Sequence, residues 1–117
     1  MTTDKSGAEA TVTQNSQLER YEVSVDDGQL AGFTQYRDRD HNGSAERIFY
    51  HTEVADEFGG RGLATILITE ALDDTKAQDR FIVGVCPLVA AFLKKHPEYE
   101  PATHPVTPEV LNWLKTG

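Results

Sequence analysis

Three glycines in four residues, Gly59, Gly60 and Gly62, stand between an apolar extended run and an amphipathic helical one. That junction constrains the chain more than any other stretch. It exposes backbone N–H groups beside a helix N-terminus, where unpaired amides and the helix dipole favour an anion such as phosphate. The spacing is neither GxxxxGK[ST] nor GxGxxG, so the two common phosphate loops do not apply, and a plain tight connection stays open as the alternative.

The run before the glycines, Glu46 to Val54 (ERIFYHTEV), is the strongest strand pattern in the sequence. Strict alternation puts Ile48, Tyr50, Thr52 and Val54 on one face and Phe49, His51 and Glu53 on the other. Apolar residues on both faces mark it as central, and His51 and Glu53 point the same way near its end. After the glycines, Leu63, Ile66, Leu67, Ala71 and Leu72 recur at helical spacing, predicting a helix that runs to about Ala77. Phe81 to Val85 (FIVGV) is short and wholly apolar, a buried strand, and a strand–helix–strand succession implies parallel pairing.

Upstream, Arg20 to Val25 alternates as a half-buried strand, Asp26-Asp27-Gly28 is a turn, and Leu30 to Arg37 is a second strand with Gly32 as a candidate bulge. Asp38 to Ala45 is polar and holds Asn42-Gly43, the dipeptide best suited to a tight hairpin. Asp38, Asp40, Asn42 and Gly43 also match the opening of a calcium loop, but the position that needs a bidentate Glu is Phe49 and the flanks are strands. The segment is therefore expected as a solvated hairpin, with no metal site.

Cys86 precedes Pro87, a residue suited to the first position of a helix that continues through Val89, Ala90, Phe92 and Leu93 and ends at His96-Pro97. The positive end of a helix favours anions, which draws attention to a thiol placed there. His96 is too distant to serve it as a base, since ten helical residues span about 15 Å. Thr107-Pro108-Glu109 opens a short C-terminal helix expected to dock through Trp113.

With 19 acidic against 11 basic side chains the net charge is −8, which works against nucleic acid and is compatible with a cationic acceptor. One cysteine in 117 residues excludes an internal disulfide and fits a reducing cytoplasm. Residues Met1 to Gln17 have little apolar bulk and are expected as a flexible tail, with 18–117 as one domain. No apolar run is long enough for a membrane span or a signal peptide, so a soluble protein is expected.

Gly59-Gly60-Arg61-Gly62-Leu63-Ala64 resembles the Q/R-x-x-G-x-G/A signature of the GCN5-related N-acetyltransferases, matching at Gly62 and Ala64 and departing at Gly59. His51 to Val54 (HTEV), Gly60 to Gly62 (GRG), Ala71 to Asp74 (ALDD) and the Cys86 to Tyr99 segment are similar to a small single-domain branch of that family, which includes the human N-acetyltransferase domain-containing protein. The resemblance implies an α/β fold (an α+β mixed sheet) of three antiparallel strands, helix, parallel strand, helix and C-terminal helix. It implies acetyl-coenzyme A as co-substrate, bound where the strand at 46–54 splays from that at 81–86. Val54 would pair with the pantetheine arm, and Gly59, Gly60, Arg61, Gly62, Leu63, Ala64 and Thr65 would hold the pyrophosphate.

The implied activity is acetyl transfer to a primary amine, a protein lysine or a small polyamine. Glu53 and His51 are the candidate bases, directly or through water. Cys86 either lines the site or carries the acetyl group. Phe92 and Leu93 stand where many relatives place a tyrosine acid. A non-catalytic acyl-coenzyme A binding or sensing module, with Cys86 beside its ligand, is the alternative, and a cofactor-free thiol regulator is a third reading.

Overall fold

A computed structural model describes residues 2–3, 9–25, 28–41, 43–55 and 62–116. Its elements are β1 (Thr2–Thr3), β2 (Glu9–Asn15), β3 (Arg20–Val25), β4 (Gln29–His41), β5 (Ser44–Val54), α1 (Leu63–Ala77), β6 (Phe81–Gly84), α2 (Pro87–Lys95), a 3-10 helix (Pro97–Ala102) and α3 (Pro108–Thr116). One sheet holds the strands in chain order, antiparallel from β1 to β5 and parallel between β5 and β6. This is the mixed α/β architecture expected, with additional strand at its N-terminal edge.

That strand corrects the expectation of a tail over residues 1–17. Glu9–Asn15 pairs residue for residue with β3 from Ala10↔Val25 to Asn15↔Arg20. A strand with one face on the core needs only every second residue to face inward. Ala10 is fully buried, Val12 packs on the core, and Gln14 donates to the Tyr36 hydroxyl at 2.7 Å. Low apolar content therefore did not preclude a strand.

β4 and β5 run on to the pair His41↔Ser44, as a hairpin requires, with Gly43 at φ 81°; Asn42 lies outside the described residues. Asp38, one of the calcium-like positions, instead accepts two hydrogen bonds from Arg47, at 2.7 and 3.0 Å.

The sheet packs on both faces. Tyr21, Val23, Tyr36 and Phe49 meet Leu63, Leu67, Leu72, Val89 and Phe92 of α1 and α2 in the larger core. On the other face Ile48 and Val83 meet Val110, with Trp113 and Leu114 packed beside them. Trp113 docks α3 as expected, and its ring also carries the Arg37 and Arg39 guanidiniums at 4.2 and 5.2 Å. Arg39 further binds Glu109, at 2.7 and 2.8 Å.

The C-terminal end of α1 is fastened by a part-buried polar network. Arg47 donates to Asp38, to the Tyr21 hydroxyl at 2.6 Å and to Gln78 at 3.1 Å, while Tyr21 donates to Asp74 at 2.6 Å. Burial, then the bond to Asp74, pushes the Tyr21 phenol well above its usual range. No helix among the described residues is long and apolar enough to cross a membrane.

Candidate functional site

β5 and β6 are paired only from Glu46↔Phe81 to Phe49↔Gly84. The Phe49 carbonyl then accepts both the Val85 and Cys86 N–H groups, at 3.0 and 2.9 Å, and the chain turns into α2. From His51 to Val54, β5 is paired with β4 alone, so the sheet opens on its β6 side.

A bulge sits where that opening begins. Gln35 faces His51 and Tyr36 faces Phe49, leaving Tyr50 as an extra residue on β5. One extra residue resets the alternation, which corrects the strict two-face reading of this strand. Thr52 and Val54 join Phe49 on the α1 side, whereas Ile48 shares the opposite face with His51 and Glu53.

Consequently Thr52 accepts a hydrogen bond from the Cys86 thiol at 3.2 Å, across the vertex of the opening. The Thr52 hydroxyl is bonded in turn to that of buried Thr34, its cross-strand partner, at 2.8 Å. Cys86 is 3% exposed and occupies the position before α2 expected for it.

His51 and Glu53 do share a face, with ring nitrogen and carboxylate 3.5 Å apart, and both are largely exposed. They point away from Thr52 and Cys86. The structure thus brings His51 to Glu53, but does not bring that pair to the thiol.

Val54 lies opposite Gly32, and the next residue, Ala55, donates to Ala31 at 2.8 Å. By alternation, the N–H and C=O of Val54 point away from β4, toward the open side. Gly32 permits the close approach there, because a Cβ on it would lie 2.5 Å from the Glu53 carbonyl oxygen. The β3–β4 bulge falls at neighbouring Ala31, which has no partner between Val23↔Gly32 and Ser24↔Leu30.

Gly59, Gly60 and Arg61 lie outside the described residues. Gly62 caps α1 in the left-handed region, at φ 76°. The first turn-to-turn bond is Ile66 N–H to the Gly62 carbonyl, so the amides of Leu63, Ala64 and Thr65 precede the helical ladder. Among the described residues no side chain caps this end, and its first turn has no acidic residue. These amides suit an anion.

Residues 20–102 match the family model described as GCN5-related N-acetyl-transferase. The chain belongs to that family. No curated protein matches it in sequence.

Two solved structures share its fold. A GCN5-like N-acetyltransferase candidate from Staphylococcus aureus is 21% identical with a TM-score of 0.60, covering 84% of this chain and 91% of its own. A ribosomal-protein-alanine N-acetyltransferase from Brucella melitensis biovar Abortus 2308 is 22% identical with a TM-score of 0.51, covering 76% and 66%.

Sequence reasoning missed Thr34, Thr52 and the bulge at Tyr50. With apolar residues at both parities of the strand, nothing in Glu46 to Val54 signalled a break in period. Two β-branched hydroxyl residues on adjacent strands were the available hint.

Proposed function

We propose that this N-acetyltransferase-family domain moves an acetyl group from acetyl-coenzyme A to a primary amine, on a protein lysine or a small polyamine. The observation that carries the reading is the parting of β5 from β6 beyond Phe49, followed in the chain by the amide end of α1, which no side chain caps among the described residues. Anion binding by Leu63, Ala64 and Thr65, with Gly59, Gly60, Arg61 and Gly62 just before them, suits a pyrophosphate. The outward N–H and C=O of Val54 suit an amide-bearing arm such as pantetheine.

Acetyl transfer needs a neutral amine, an acceptor for its proton and stabilisation of the oxyanion. Glu53, backed by His51, supplies a proton acceptor on one face of β5, directly or through water. Cys86 lines the site from the other face, with its thiol held by Thr52. This separation favours direct transfer to the amine over an acetylated Cys86, because neither candidate base reaches the thiol. The lone cysteine accords with a cytoplasmic protein.

The same separation supports a second reading, a non-catalytic acyl-coenzyme A binding or sensing module with Cys86 beside the ligand. Titration calorimetry with acetyl-coenzyme A tests both, and no heat at high micromolar ligand sinks both. A screen of amines and lysine peptides for coenzyme A release then separates them: turnover establishes the transferase, and binding without turnover the module. Intact-mass measurement after mixing with acetyl-coenzyme A, with Cys86→Ala as control, reads covalent transfer. An unshifted mass is expected for direct transfer, and a Cys86-dependent gain of one acetyl group would overturn it.

A further inference from the structure

Between the turn that joins α1 to β6 and the 3-10 helix lies a pocket of about 380 Å³, lined by Lys76, Asp79, Arg80, Phe81, Pro101 and Ala102. All six belong to the continuously described stretch 62–116. The fifteen residues of α1 span about 22 Å, so this pocket at its C-terminal end is far from the amides of Leu63, Ala64 and Thr65.

The charges of the pocket are not spent on one another. Among the described residues Lys76 forms no ion pair, and its ammonium lies 5.1 Å from the centre of the Tyr99 ring. Arg80 approaches Asp38 only to 3.7 Å, and Asp38 already accepts two shorter bonds from Arg47. Asp79 pairs with neither cation. The helix end adds little negative field, because the Asp74, Thr75 and Lys76 carbonyls accept from the Gln78, Asp79 and Arg80 N–H groups at 3.0–3.2 Å. One wall is apolar. His104 stacks on one face of the Phe81 ring at 3.9 Å, which leaves the other face or the edge to the pocket, beside Pro101 and Ala102.

Each feature selects one part of a ligand. Two cations, one of them a guanidinium, suit a phosphate monoester, which carries a charge of about −1.5 to −2 near neutral pH. A carboxylate accepts hydrogen bonds and donates none, so Asp79 beside a phosphate calls for hydroxyl donors. An aromatic and proline wall suits a flat ring. The volume stands at the lower end of the roughly 300–1,000 Å³ range of small-molecule sites, which suits one ring and one phosphate better than a dinucleotide.

We infer that this pocket binds a nucleoside monophosphate, with its phosphate on Lys76 and Arg80, its sugar hydroxyls on Asp79 and its base against Phe81 and Pro101. The inference goes beyond the acetyl-transfer reading and does not rest on it.

The test is titration of the full chain without cofactor, followed through backbone amide resonances. The probes are adenosine monophosphate, adenosine and phenyl phosphate. The nucleotide should shift the amides of residues 76–81 and 102–104, and each of the other probes should bind about tenfold more weakly. Lys76→Gln and Arg80→Gln should each weaken the nucleotide about tenfold, whereas Lys94→Gln on α2 should not. Unchanged spectra away from the pocket report an intact fold in each variant. Equal binding of adenosine or of phenyl phosphate, no shift at millimolar nucleotide, shifts at residues 62–65 without shifts at 76–81, or indifference to both substitutions overturns the inference.

Discussion

Gly32→Ala tests whether the close approach of β4 to β5 shapes the cofactor side of the opening. The added methyl would lie 2.5 Å from the Glu53 carbonyl oxygen, 2.9 Å from Val54 Cγ2 and 3.0 Å from Val54 Cα. Two of these three atoms are backbone, so a rotamer change does not relieve the clash. The end of β5 must move by about half an ångström or more before the shortest contact reaches the limit for real Cβ atoms. Overpacking of this kind costs about 1–3 kcal/mol. For a domain of this size that lowers the melting temperature by roughly 5–15 °C. The displaced backbone includes Val54, so affinity for acetyl-coenzyme A should fall about tenfold or more, as a lost pair of hydrogen bonds would give. Differential scanning fluorimetry and calorimetry measure the two effects, with substitution of exposed Thr13 on β2 (Thr13→Ala) as control. A melting temperature within about 1 °C of the parent and an unchanged affinity would refute the reasoning about Gly32 and Val54 together.

Three further outcomes are expected. Tyr21→Phe removes a buried hydroxyl that donates to Asp74 and accepts from Arg47, and should cost about 1–3 kcal/mol in urea unfolding. Burial opposes ionisation of Glu46, but its bonds to His104 and Arg39 outweigh that and hold its carboxyl below the ordinary range. Because the folded state has the lower pKa, this stabilisation is present above the unfolded value of about 4.3 and is lost as pH falls through the folded one. Glu46→Gln should therefore flatten the fall of melting temperature in that acidic window, and an equally steep fall would count against the pairing. Trp113 is the single tryptophan, so its emission reports α3. Arg37→Met removes the guanidinium at 4.2 Å from its ring and the 3.2 Å bond to the Leu114 carbonyl, and should shift the emission to longer wavelength.

Much of the frame was legible because each part of it has a local cause. Helical spacing from Leu63 and the polar stretch after Ala77 bounded α1, Pro87 opened α2 directly after Cys86, and Asn42-Gly43 marked a hairpin. β2 was not legible, since its Thr, Gln and Asn carry the same composition as a tail, and only pairing with β3 distinguishes them. The reach of β4 and β5 to the hairpin was hidden for a related reason. Asp38 to Ala45 resembles a solvated loop until Asp38 is seen to accept from Arg47 and Arg39 to bind Glu46 and Glu109.

The sequence by itself determined the order of elements, the family signature around Gly62 and the pairing of His51 with Glu53, all set by neighbours in the chain or by a two-residue period. Tertiary structure decided which face each candidate serves. The extra residue at Tyr50 turns Thr52 toward Cys86 and leaves Glu53 on the opposite side of β5. A bulge belongs to the pairing of two strands and not to either strand alone, so no periodicity within Glu46 to Val54 could have revealed it.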